Sequence, residues 1–190
     1  MSSHSPVVDF LLSRRSRPAK MLAPPVPDRS GIEALLTIAA RVPDHGKLEP
    51  WRFIVLDREA CMSIADLVAR RGAETGLEPE KCAKARATFA EAHLIIVVVA
   101  SPKPSEKIPE IEQTLSAGAV CLSLVNGALA SGWGANWLTG WAAFDQQIMA
   151  ALGLAPQEWV AGFVHLGTAR ATPPDRPRPD IATLTTWSLP

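Results

Sequence analysis

The run LIIVVVA, residues 94–100, constrains the fold more than any other stretch of this chain. It is rich in β-branched residues and shows none of the alternation of a half-wet strand. A strand of that kind needs cover on both faces, so Leu94–Val99 reads as a central strand with helices on each side of its sheet. It is far short of the ~20 residues that span a bilayer. The second constraint is residues 110–131, a helical pattern ~33 Å long at 1.5 Å per residue. Ala117, Ala119, Val120, Leu122, Leu124, Val125, Ala128 and Leu129 leave it no clear wet face. Such a helix lies in a core or a subunit interface. Ser123 and Asn126 within it then need hydrogen-bond partners.

The other segments supply the rest of a layered domain. Val7–Leu12 predicts a short helix leading into Arg14–Pro18, and the proline-rich residues 24–28 a loop. Ser30 and Glu33 form a capping box ahead of Ile32, Leu35, Leu36 and Ala39, a helix that Pro43 stops. Phe53–Leu56 reads as a strand, Glu59–Arg71 and Pro79–Glu91 as helices, and Pro102, Pro104 and Pro109 mark a loop. Trp133–Trp141 is strand-like, Asp145 caps a short helix to Leu152, and Trp159–Gly167 is a further strand. Residues 172–180 hold four prolines. They form an extended arm if Ile181–Trp187 docks somewhere. No repeat or internal boundary divides the chain, so residues 1–190 read as one domain with 171–190 as its arm.

Totals narrow the function. Nineteen basic and nineteen acidic residues cancel, which argues against nucleic acid or an anionic membrane as partner. Any anion site must be local. Cys61, Cys82 and Cys121 are widely spaced and form no C-x-x-C pair, which fits free thiols in a reducing cytoplasm. The N-terminus lacks the order of a signal peptide, and the Arg14-Arg15 pair is followed by SRPAKM rather than a long apolar run.

Four stretches could carry chemistry. Arg14–Arg17, RRSR, sets three forked guanidiniums around a hydroxyl, a fit to phosphate oxygens; a solvated basic turn is the plainer alternative. Residues 41–52, RVPDHGKLEPWR, crowd Arg41, Asp44, His45, Lys47 and Glu49 between two pieces of core, either as a binding loop or as a polar connector. His4, His93 and His165 show no ligand spacing with His45, so no metal site is expected. In SGWGANWLTGW, residues 131–141, Gly132 and Gly134 follow a helix and enter a strand, the reverse of a dinucleotide fingerprint. That stretch reads as backbone approaching something large and flat, or as tryptophan core. Finally, Arg170 follows the last strand and could add a phosphate donor. No nucleophile elbow or P-loop occurs.

Taken together, R-R-S at 14–16, P-D-H at 43–45 with P-W-x-F from Pro50, S-A-G at 116–118, G-x-G-x-x-W at 132–137 and L-G-T at 166–168 resemble the FMN-dependent nitroreductase family. The resemblance spans roughly Val8 to Thr168 and is to the small single-domain bacterial members. It implies an α+β, three-layer α/β/α fold with a mainly antiparallel central sheet and a long buried helix. It also implies a homodimer with FMN at the interface. Arg14, Arg15 and Ser16 match the positions that hold FMN phosphate and ribityl. Arg41 and His45 match flavin contacts from the other subunit. Trp137, Leu138 and Thr139 match the segment beside the flavin, and Gly127–Gly132 a stretch linked to the nicotinamide cofactor. Lys47 stands where larger members have Asn, Glu49 where many have Gln, and Leu138 where relatives with W-R-S have Arg. A carboxylate at Glu49 would disfavour an anionic reduced flavin. The activity implied is hydride transfer from NADH or NADPH through FMN to a small electron-poor acceptor, a nitroaromatic or quinone, by a ping-pong mechanism. A flavin-binding protein with little turnover and a cofactor-free dimeric interaction module are the rivals.

Overall fold

The computed structural model describes residues 5–188; His4 lies outside them. In chain order the elements are α1 (Pro6–Ser13), β1 (Leu22–Ala23), α2 (Arg29–Ala39), β2 (Trp51–Leu56), α3 (Arg58–Glu74), α4 (Pro79–Ala90), β3 (Ile95–Ala100), α5 (Glu110–Ala130), β4 (Gly134–Leu138), α6 (Gln146–Ala151), β5 (Trp159–Ala169) and α7 (Ile181–Leu184). The sheet runs β1-β5-β3-β2, with β4 also on β5, and every pairing among the described residues is antiparallel.

The six residues of β3 are all buried, as an unbroken apolar strand requires. Its pleat divides the core. Ile95, Val97 and Val99 join the side chains of α3, α4 and α6 on one face. Ile96, Val98 and Ala100 join α2 and α5 on the other. Two helical layers therefore sandwich the sheet, the α+β three-layer fold expected from the resemblance. Val160 and Phe163 share a face although they are three apart, because the register slips between Val98 and Val99 and leaves Ala161 as an extra residue in β5.

α2 begins two residues earlier than the Ser30 box implies, at Arg29, so Asp28 is its cap. The Asp28 carboxylate accepts Gly31 N–H and the Ser30 hydroxyl, both at 2.8 Å. Glu33 pairs with Arg29 at 2.9 Å instead of reaching back to the cap. α2 packs on α5 at Gly127, where a Cβ would lie 2.9 Å from Ile38 Cγ2. Helix α5 could cross a membrane by length and composition, yet half of its most apolar window is buried, as in a core helix. The remainder is apolar and open: Ile111, Leu115 and Leu122 are exposed. Ser123 donates to Ile38 O at 3.1 Å, whereas buried Asn126 Oδ1 has no partner among the described residues.

The arm is extended, but Ile181, Leu184 and Trp187 are 66%, 71% and 77% exposed. The expected docking of this segment is therefore not made within the chain. α7 is one turn held by Asp180, too short to bury a face.

Candidate functional site

The end of α1 builds the main site. Arg14 closes the helix, its N–H donating to Phe10 O at 2.8 Å, and Pro18 keeps Arg17 before it out of helical backbone. Arg17 N–H then donates to Ala135 O at 2.8 Å and pins this segment along β4. The result is a cavity of about 570 Å³ lined by Arg14, Arg15, Ser16 and Asn136 on one side and Arg176 and Arg178 of the arm on the other. Its size is ordinary for a small-molecule site.

Charge in this cavity is mostly positive, four arginines against the one carboxylate of Asp175. Arg14 Nη2 donates to Ser16 Oγ at 3.1 Å, and its buried Nε has no partner among the described residues. Burial and the nearby charges of Arg178 and Arg15 lower the Arg14 pKa. Arg15 donates to Pro174 O and meets Asp175 Oδ1 at 3.3 Å. Arg178 Nη2 donates to the same oxygen at 2.9 Å. Crowded guanidiniums with an unpaired buried N–H form a local trap for an anion.

Arg176 and Arg178 are the site residues that sequence reasoning missed. Their signal is the D-R-P-R-P run, in which arginines alternate with prolines that hold the chain extended. Arg170, chosen instead, does not line this cavity. It is exposed, its N–H donates to Met21 O at 3.0 Å, and its charge acts on His93, whose pKa falls through burial and the charges of Arg58 and Arg170.

β4 leads away from the cavity. Asn136 lines it, and Leu138 stands two residues on, ~7 Å at strand rise. Leu138 packs toward Ala87 and Thr88 of α4 and toward Lys20. Thr139 is exposed, just before the turn at Gly140. Trp137 is held by the β5 irregularity: its Nε1 donates to the carbonyl of the extra residue Ala161 at 3.1 Å. Gly162 makes room, since a Cβ there would sit 2.2 Å from that nitrogen. Trp133 and Trp141, by contrast, pack against the two cores.

Residues 41–49 form a strained, pinned loop. Gly46, Lys47 and Glu49 all take positive φ, 72°, 53° and 48°. Two of them are not glycine, a conformation kept only where neighbours enforce it. The enforcing group is Asp44, whose carboxylate accepts Leu48 N–H at 3.0 Å and Glu49 N–H at 2.9 Å. Ser116 on α5 donates to Pro43 O at 2.7 Å and accepts from Trp51 Nε1 at 3.1 Å. His45 Nδ1 lies 2.8 Å from Glu112 Oε2 of α5. These contacts set Arg41 and His45 toward the outer side of α5: Arg41 borders a cleft of about 710 Å³ between α1 and α5, and His45 a smaller one beside it. None of Arg41, His45 and Lys47 lines the arginine cavity. One chain thus brings Arg14, Arg15 and Ser16 together and keeps Arg41, His45 and Lys47 apart from them.

Among the described residues no group of three His, Cys, Asp or Glu could hold a metal ion. The thiols of Cys61 and Cys121 are pushed by burial to about 11 and about 12, which leaves them inert near neutral pH.

The chain is similar to known proteins over nearly all of this architecture. It is 32% identical over 161 residues to YdjA of Escherichia coli strain K12, a candidate NAD(P)H nitroreductase by name, covering 85% of this chain and 87% of that one. It is 35% identical over 160 residues to a Haemophilus influenzae protein named likewise, covering 84% and 86%. Among solved structures, a nitroreductase-like family protein from Bacillus cereus superposes with a TM-score of 0.81 at 19% identity, covering 98% of each chain. A candidate nitroreductase from Desulfovibrio desulfuricans, solved in complex with FMN, gives 0.74 at 19% identity, covering 99% and 100%. The nitroreductase family model matches residues 11–168, from the turn of α1 that aims Arg14 to the last strand, and the chain belongs to that family.

Proposed function

We propose that this protein is an NAD(P)H-dependent FMN oxidoreductase acting on small electron-poor acceptors such as nitroaromatics or quinones. The observation that carries the reading is the arginine cavity with the buried, unpartnered Nε of Arg14. A phosphate monoester supplies what that cavity lacks: ~1.5 to 2 negative charges and several acceptor oxygens. Arg14, Arg15, Ser16 and the arm residues Arg176 and Arg178 hold the phosphate. The β4 end, Trp137–Thr139, flanks the ring, ~7–10 Å further along the strand direction.

The open apolar faces of α1 and α5 support a homodimer. Val7, Leu11, Leu115 and Leu122 are each about half or more exposed, an apolar surface that a second copy covers. In such a pair Arg41, His45 and Lys47 reach the partner's flavin, which accounts for their separation from Arg14 within one chain. When bound, FMN supplies the redox chemistry, taking a hydride from NAD(P)H and passing electrons to the acceptor in a ping-pong cycle. The chain's own residues hold the phosphate, orient the ring through the rigid Asp44-braced loop and exclude water with Trp137. Leu138, in place of a cation, leaves that edge apolar.

The test is the visible absorption spectrum of the purified protein before and after heat release of its ligand. Flavin bands that shift to those of free FMN are the expected result. A colourless protein that takes up no added FMN overturns the reading. Steady-state NAD(P)H oxidation with a nitroaromatic or quinone then separates turnover from mere flavin binding.

A further inference from the structure

The arginine cavity already contains one carboxylate. Asp175, on the arm, turns a single oxygen, Oδ1, to three donors: Arg176 N–H at 2.8 Å, Arg178 Nη2 at 2.9 Å and Arg15 Nη1 at 3.3 Å. That is the environment of an oxyanion in a cradle of guanidinium and backbone donors. Asp175 reaches it from an exposed stretch of arm with its side chain 72% open, so it can swing away without unpacking any core. Arg14 lies deeper and keeps its own Nε unpaired, so the carboxylate fills only the outer half of the cradle.

We propose that Asp175 is an internal stand-in for the cofactor phosphate: it occupies the Arg15–Arg178 half of the cradle, yields it when a phosphate monoester enters, and so sets how strongly the protein prefers phosphorylated to unphosphorylated flavin. This rests on the flavin reading above. Two consequences follow from charge alone. The carboxylate offsets the mutual repulsion of Arg14, Arg15 and Arg178 and keeps the arm placed before the ligand arrives. It also opposes a second anion, so the entering phosphate binds less tightly than the arginines by themselves would allow. Donors at Asp175, Arg176 N–H foremost and the charges of Arg178 and Arg15 after it, hold its pKa below the ordinary value, so the competitor stays ionised at neutral pH.

Deflavinated wild-type, Asp175→Asn and Asp175→Ser proteins titrated calorimetrically with FMN and with riboflavin provide the test. Both variants are expected to bind FMN about three- to tenfold more tightly, the size of effect that removing one exposed like charge produces. Riboflavin affinity is expected to stay unchanged, so the preference for FMN rises by the same factor. Equal or weaker FMN binding in both variants overturns the stand-in and leaves Asp175 as a structural tether of the arm. A parallel rise for riboflavin overturns it too, because the effect would not be on the phosphate. If no form takes up FMN at all, the flavin reading is what fails. Inorganic phosphate then probes the cradle directly: a greater rise in Tm for the variants than for wild type supports the exchange, and an equal rise sinks it.

Discussion

At the scale of single residues, the cavity and two buried ionisable groups decide most of what can be tested. Arg14 bonds the Ser16 hydroxyl through Nη2, keeps its buried Nε without a partner among the described residues and lines the cavity, whereas the charge of Arg170 acts on His93. Replacing Arg14 by Ala is expected to weaken FMN binding by tenfold or more, about 1.5–3 kcal/mol for lost charge-assisted bonds. Arg170→Ala is expected to leave it unchanged; titration calorimetry checks both. His165 is 2% exposed, its Nε2 has no partner among the described residues, and burial pushes its pKa down to about 4. The unfolded chain therefore takes up this proton first, so stability is full above pH ~6.5 and falls between ~6.5 and 4, by no more than about 3 kcal/mol. His165→Leu should flatten the decline of Tm over that window. Glu158 acts lower. Forked Arg52, at 2.8 and 2.7 Å, holds its carboxyl at about 2. Its contribution is present above pH ~4.5 and lost as pH falls through 2. Unfolding of Glu158→Gln should be less steeply pH-dependent there, with a cost of about 2 kcal/mol at pH 7.

At the scale of elements, helices and strands follow from pattern, and their ends follow from competition between nearby caps. The apolar periodicity of α3, α4 and α5 leads to boundaries within a few residues of those observed. Ser30 was the wrong cap because Asp28, two residues earlier, offers a carboxylate to Gly31 N–H and takes the Ser30 hydroxyl as a second donor. The extra residue in β5 is hardly legible in the sequence. Nothing local distinguishes Ala161 from its neighbours; the slip exists because β3 and β4 bind opposite edges of β5 and the Trp137 indole needs an unpaired carbonyl. Gly162 is its one sequence trace. Gly162→Ala is expected to cost about 1–3 kcal/mol by overpacking and to displace the indole, read as lowered Tm with altered tryptophan fluorescence.

At the scale of the whole molecule, the exposed apolar sides of α1 and α5 are the feature that a lone chain leaves unsatisfied. The proposed dimer, built on them, would bring the pinned 41–49 loop of one copy toward the arginine cavity of the other. Leu122→Glu, at a surface position that should unfold nothing, is expected to shift the protein from dimer to monomer in sedimentation and to lower flavin retention with it. A variant that stays dimeric would move the interface elsewhere.

The sequence by itself determined the layers and marked where donors for an anion are concentrated. An unbroken β-branched strand demands two covers, an all-round apolar helix demands burial, and R-R-S supplies forked donors and a hydroxyl of the kind that suits an anion. Tertiary structure alone decided which distant residues share a cavity. Arg178 stands beside Arg15 because the arm folds back over residues 14–16, and Arg41 is kept from the cavity because Ser116 ties its loop to α5 while Asp44 braces the loop internally. Local pattern records how a segment prefers to fold and which face it buries. It holds no record of contacts closed across more than a hundred residues, such as Arg15 to Asp175, since these depend on where every intervening element has packed.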